Sequence, residues 1–188
     1  MEALFHLAFT LVKIAVQASL YATLLLGLCR LVAAFRPGGL LADAARRPGR
    51  LWWASGFVLS GALFWHSFTY WGNHGLGDYS RVPLGHGEAL EELNGTDAYF
   101  APTELPDTVG DQLHLEAYQI TDDVLCAATT ERSYFTYDLR TKQYQDFPDQ
   151  AAYAAFAAAH GLPAPNQFES FQAHYSRYWG GWRFWLLA

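Results

Sequence analysis

The sequence predicts a membrane protein: an N-terminal two-helix transmembrane hairpin, then a small α+β extracytoplasmic domain of four or five antiparallel strands and two short helices. Three observations predict it. Two long stretches are nearly free of charge, five arginines lie between them, and the acids collect in a later region patterned for strands. Residues 3–29 carry one charge, Lys13, and residues 51–71 carry none. About 20 apolar helical residues cross a hydrocarbon core, and both stretches reach that length without a proline.

Orientation follows from the connector, residues 30–50. Arg30, Arg36, Arg46, Arg47 and Arg50 face one acid there, Asp43. Such a surplus in a short loop stays on the cytoplasmic side. The N-terminus and everything after Trp71 are then expected outside, in the periplasm if the membrane is a bacterial inner membrane. Pro37-Gly38-Gly39 ends the first helix. Residues 1–71 form the predicted hairpin, 72–175 the acidic exterior domain and 176–188 an aromatic interfacial tail.

The tryptophans agree with these boundaries. Trp52 and Trp53 stand at one end of the second span, Trp65 and Trp71 toward the other, and Trp179, Trp182 and Trp185 in the tail. An indole favours the headgroup region, because its ring is apolar and its N–H needs a partner. Arg177 and Arg183 in the tail suit lipid phosphates. A cleaved signal peptide is disfavoured: its charge would precede the apolar run, whereas here the arginines follow it. Leu26-Gly27-Leu28-Cys29 resembles a lipoprotein cleavage site only faintly, since Leu28 stands where a small residue belongs.

The exterior region carries sixteen acids against four bases between residues 72 and 175. That balance excludes a nucleic-acid binder, which needs a basic surface. Residues 72–96 are glycine-rich and read as a juxtamembrane loop, with a turn at Asn94-Gly95. Asn94-Gly95-Thr96 is also an N-glycosylation acceptor pattern, relevant only in a eukaryotic host. Strands are expected at 98–100, at 113–120 with Leu113, Leu115 and Ala117 on one face, and at 123–130 with Val124, Cys126 and Ala128. Asp122-Asp123 forms the turn between the last two. Residues 133–139 and 142–147 make the clearest hairpin, with aromatic residues on both arms.

Two helices follow. Asp149 caps QAAYAAFAAAH, and Gly161 with Pro163 ends it. A second helix is predicted to start at Asn166, with Glu169 completing a capping box. Phe168, Phe171, Tyr175 and Tyr178 give it an aromatic stripe.

Chemistry-bearing residues are sparse. His6, Thr10, Lys13, Gln17 and Tyr21 recur every three or four positions and share one face of the first span. Polar groups in hydrocarbon face a bundle interior or a wet cavity. This face therefore suits docking to another membrane protein, self-association, a proton-coupled path, or contact with Ser55, Ser60, His66 or Thr69 on the second span. Gly56, Ser60 and Gly61 are expected to admit close helix approach. His74, Asp78, His86 and Glu88 could ligate zinc or another divalent metal, although their spacing matches no known site. No nucleophile elbow, phosphate loop or dinucleotide fingerprint occurs. Cys29 and Cys126 fall in different environments and are not expected to pair. The expected function is that of a non-enzymatic structural or accessory subunit, or assembly partner, of a larger membrane complex. A membrane-anchored metal sensor or metalloenzyme, or a proton-coupled module, is the alternative.

Overall fold

The first apolar stretch forms one long helix, α1 (Glu2–Phe35), 34 residues in length. It runs past the expected boundary at residue 29, because Leu31-Val32-Ala33-Ala34-Phe35 contains no helix breaker and Pro37 does. The computed structural model describes residues 2–73, 79–106 and 110–187, excepting the side chains of residues 2, 3, 5 and 6. Among the described residues, α1 is the one helix long and apolar enough to cross a membrane by length and composition, over Leu7–Phe35. The connector predicted as a loop holds a short helix, α2 (Leu40–Ala45).

The second stretch forms α3 (Pro48–Ser67), with Pro48 at its first position, where the missing N–H is harmless. It stops at Ser67 rather than at 71. Phe68 and Thr69 donate backbone N–H groups back to Trp65 and His66, and the chain turns there. Gly72 permits that turn, since a Cβ at this position would collide with the His66 carbonyl oxygen. Helices α1 and α3 pack together, with Trp52 Nε1 donating to Thr23 Oγ1 at 3.0 Å. The small residues at this contact differ from expectation. A Cβ on Gly56 or Gly61 would meet nothing within 4 Å, whereas Ala18 and Ala22 of α1 are buried.

The remaining structure is a seven-stranded antiparallel sheet in simple sequential order. Its strands are β1 (Tyr79–Gly85), β2 (Glu88–Leu93), β3 (Asp97–Phe100), β4 (Leu113–Thr121), β5 (Val124–Thr129), β6 (Tyr134–Asp138) and β7 (Tyr144–Phe147). Seven strands replace the expected four or five, because β1 and β2 both lie within the loop expected at 72–96. The cause is the buried face of β2, which reads Glu88, Leu90, Glu92. Its acids interrupt the apolar alternation by which a half-buried strand is recognised.

Turn chemistry holds the sheet's order. Asp122 and Asp123 both adopt positive φ (48° and 65°) between β4 and β5, the geometry that suits tight hairpins. Asn94 and Gly95 do the same between β2 and β3. The last hairpin has a longer loop than expected, from Leu139 to Gln143, with Tyr137 opposite Tyr144. The Asp138 carboxylate accepts the backbone N–H groups of Arg140 and Thr141 at 2.9 and 2.7 Å, the Thr141 bond chiefly holding its pKa below the ordinary value. A bulge in β4 between Leu115 and Ala117 shifts the register. As a result, Tyr118 and not Ala117 continues the buried face begun by Leu113 and Leu115.

Two helices flank the sheet. Helix α4 (Gln150–His160) begins at Asp149, whose side chain accepts from the Ala152 N–H, and ends at Gly161 with φ 68°. It packs on β6 and β7, where Tyr153 and Ala157 join Cys126 and Phe147 in one cluster. Helix α5 (Phe171–Trp179) starts later than predicted. Asn166 lies in a single 3-10 turn, Glu169 pairs backbone to backbone with Tyr118, and Ser170 is the cap. Phe171, Tyr175 and Tyr178 pack into the main core with Leu90, Phe100, Leu125 and Phe135, while Phe168 turns to the α4 cluster. A short helix, α6 (Trp182–Leu186), follows. By contacts the chain forms two units, Met1–Gly77 with Trp182–Ala188, and Asp78–Gly181.

Leu125 is fully buried between core neighbours. Leu125→Ala is expected to destabilise the sheet unit by about 2–5 kcal/mol. Near-UV circular dichroism of the full chain during thermal unfolding checks this; an unchanged transition would contradict the buried placement.

Candidate functional site

The polar face of α1 is occupied by the chain's own last segment. Gln17 is 5% exposed, and its Nε2 donates to the carbonyls of Trp185 and Leu187 at 2.9 and 3.0 Å. The Tyr21 hydroxyl donates to the Leu186 carbonyl at 2.8 Å. Lys13 Nζ stands 4.9 Å from the centre of the Phe184 ring. The chemistry is that of a helix end. The last carbonyls of a helix have no partner within it, and side-chain donors must supply one. Here α6 is only five residues long, so most of its carbonyls need such donors. The spacing of Lys13, Gln17 and Tyr21 on one face places all three beside it.

The predicted face is therefore brought together in three of its five members. Thr10 is half-buried, and the His6 side chain lies outside the described residues. Gln17 Oε1 and His66 Nδ1 are buried and accept no hydrogen bond among the described residues. No described carboxylate pairs with Lys13. Ring contact with Phe184 is what offsets its charge here.

The aromatic boundary residues divide. Trp53, Trp65, Trp71, Trp182 and Trp185 are exposed, and the Arg183 guanidinium sits 5.0 Å from the Trp182 ring centre. Trp52 is engaged with Thr23. Trp179, expected in the interfacial tail, lies instead in the sheet unit. It is 8% exposed, and its Nε1 donates to the Arg81 carbonyl at 2.6 Å. An indole N–H satisfied by a backbone carbonyl suits a protein core as well as a headgroup layer.

Of the predicted metal quartet, His74 and Asp78 lie outside the described residues. The other two sit at the β1–β2 turn with different partners. His86 Nε2 is 3.3 Å from Asp123 Oδ2. Glu88 is 3% exposed and accepts from Lys142 Nζ at 2.7 Å and Thr103 Oγ1 at 3.2 Å. Lys142 Nζ also donates to the His86 carbonyl at 2.9 Å. A cation at Glu88 would have to displace this ammonium. Among the described residues no three His, Cys, Asp or Glu side chains converge on a point.

Further polar groups in the sheet unit went unrecognised in the sequence. Arg81 and Tyr99 both bind the Glu91 carboxylate, Tyr99 donating at 2.7 Å. These three residues face one another across β1, β2 and β3, a juxtaposition that depends on two strands the sequence pattern does not reveal. Glu92, 5% exposed, accepts from Gln172 Nε2 of α5. Burial pushes the Glu92 carboxyl above the ordinary glutamate range, and the Gln172 bond pulls it partly back. His174 stacks on Tyr118 with ring centres 4.0 Å apart, and burial lowers its pKa. The Glu92–Gln172 and Tyr118–His174 contacts join α5 to the sheet. A polar hollow of about 280 Å³, lined by His114, Thr129, Glu131, Ser133, Tyr144 and Asp146 among others, opens on the same sheet.

No protein-family model matches this chain, and comparison with curated proteins and with solved structures returns no match.

Two outcomes follow from this geometry. Gln17→Leu with Tyr21→Phe removes the donors to α6 and is expected to expose the segment after Gly181 to protease, with the sheet unit unaffected. Equal protease resistance would contradict the contact. The raised Glu92 pKa means that the folded state binds a proton more tightly than the unfolded state. Its ionised carboxylate therefore weakens the fold above the raised value, and stability returns as pH falls. Glu92→Gln is expected to raise the melting temperature at pH ~7, with the gain narrowing toward pH ~4. A gain that persisted at the acid end would contradict the assignment.

Proposed function

We propose that the chain is an integral protein of a bacterial inner membrane, serving as a non-enzymatic structural or accessory subunit of a larger membrane complex. In this reading α1 and α3 form a transmembrane hairpin, the arginine-rich connector is cytoplasmic, and the N-terminus and sheet unit are extracytoplasmic. One observation carries it. The 29 residues Leu7–Phe35 are helical, and only 17% of the most apolar window is buried inside the fold. Val12, Val16, Leu20, Leu24, Leu28 and Leu31 all point away from the protein. A core helix of a water-soluble domain would bury such side chains, at roughly 1.5–3 kcal/mol each. Lipid supplies the cover instead.

Three further features support the hairpin. Residues 51–67 of α3 carry no charge and, at 1.5 Å per residue, reach about 25 Å, most of a hydrocarbon core. Exposed Trp53 and Trp65 lie near its two ends. The arginines concentrate on one side of both helices. The accessory role rests on composition and count. Two helices are too few to enclose a conducting path alone, and the buried acids Glu88 and Glu92 are tied to Lys142 and Gln172. Lys13, without a carboxylate partner among the described residues, suits a position beside a second membrane protein or a second copy.

Reporter cysteines test the topology. Both native cysteines are buried, so background labelling is low. A membrane-impermeant thiol reagent added to whole cells is expected to label Glu131→Cys and to spare Gly38→Cys until lysis. The opposite pattern would invert the orientation, and labelling of neither after lysis would contradict the exposure of both positions.

A further inference from the structure

The connector holds a feature that positive-inside retention does not require. An open hollow of about 610 Å³ lies against α2 and the first turns of α3, lined by Asp43, Arg46, Arg47, Arg50, Leu51 and Ala54 among others. Ligand sites fall in this size range. Three guanidinium groups face one carboxylate, and that carboxylate is already near Arg46, at 3.8 Å. Among the described residues no acid pairs with Arg47 or Arg50. Arg47 also precedes Pro48 at the start of α3 and places no side-chain cap on its first turn. The N-terminal dipole of a 20-residue helix thus adds to the positive field.

The wall is not uniformly polar. Leu51 and Ala54 continue from the arginines along α3. Helix α2, which lines the hollow through Asp43 and Ala44, also exposes Leu40 and Leu41. A free phosphate ion has no use for this apolar margin. A phosphate joined to acyl chains does. Guanidinium groups bind phosphate oxygens through a planar fork of donors, and basic pockets beside membrane helices on the cytoplasmic side are suited to lipid headgroups.

We propose that this hollow binds the headgroup of an anionic phospholipid of the cytoplasmic leaflet. Arg47 and Arg50 contact the phosphate, Arg46 stands beside them near Asp43, and Leu40, Leu41, Leu51 and Ala54 meet the upper acyl region. The inference rests on the membrane reading above.

The test uses the full chain reconstituted in bilayers of phosphatidylglycerol and phosphatidylcholine, then released for native mass spectrometry. The wild type is expected to retain phosphatidylglycerol in preference to phosphatidylcholine. Arg47→Gln with Arg50→Gln is expected to weaken that retention by roughly fivefold per arginine. Arg30→Gln with Arg36→Gln removes the same charge from the same side and is expected to leave retention near that of the wild type. Equal loss in both double variants would mean a diffuse field and would overturn the site. Displacement of the lipid by millimolar inorganic phosphate would assign the hollow to a free anion and would also overturn it. A wild type that stays in the membrane fraction without preferring phosphatidylglycerol sinks the lipid site alone. A wild type that leaves the membrane fraction sinks the membrane reading with it.

Discussion

Apolar surface that the protein does not cover is the constraint on which the helical unit depends. Along α1, Ile14, Ala18, Ala22 and Cys29 turn inward, while leucine, valine and phenylalanine side chains on the other faces remain exposed. Leaving that surface in water costs roughly 25 cal/mol per Å² of apolar area. On the proposed reading a bilayer removes that penalty and imposes another, because every backbone polar group within it must find a protein partner. The contact between α1 and the last segment answers that second demand. Gln17 and Tyr21 supply donors to the carbonyls with which α6 ends. On the proposed reading, the polar face of α1 first serves the chain's own C-terminal segment, and Lys13 is left with an aromatic ring.

The sheet unit is governed by a different solvent argument. Its core is packed from both sides of β5, with Leu125 and Ala127 in one cluster and Cys126 in the other. Strands β1 to β3 add Val82, Leu90, Ala98 and Phe100 to the main core and carry buried polar pairs as well. Glu88 and Glu92 point inward from β2, and each is held by a donor far along the chain, Lys142 or Gln172. Removing one partner of such a pair is more damaging than replacing both with apolar groups, because a buried charge is left alone. These pairs also choose register, since a shift of one residue in β2 would turn both acids outward.

Elements with strong local signals were legible in the sequence. Asp149 and Gly161 marked both ends of α4, and Asp122-Asp123 marked the β4–β5 turn. The same holds for the spacing of Lys13, Gln17 and Tyr21, although not for what that face touches. Elements whose signals come from distant partners were not legible. β1 and β2 were hidden because Lys142 and Gln172 make buried glutamates tolerable. Helix α5 starts after the expected Asn166 because Glu169, half of a capping-box pattern, pairs with Tyr118 instead. Trp179 looked interfacial beside Trp182, yet the Arg81 carbonyl satisfies its N–H within the sheet unit. Local patterns report what a residue prefers, and tertiary partners decide which preference is met.

The central proposal is that lipid, not water, covers the outward faces of α1. Alkaline carbonate washing of membranes followed by density flotation tests it most directly, because the wash strips proteins held only by surface contacts. The account predicts that the full-length chain floats with the lipid. Recovery of the chain in the soluble fraction, folded and without detergent, would contradict it.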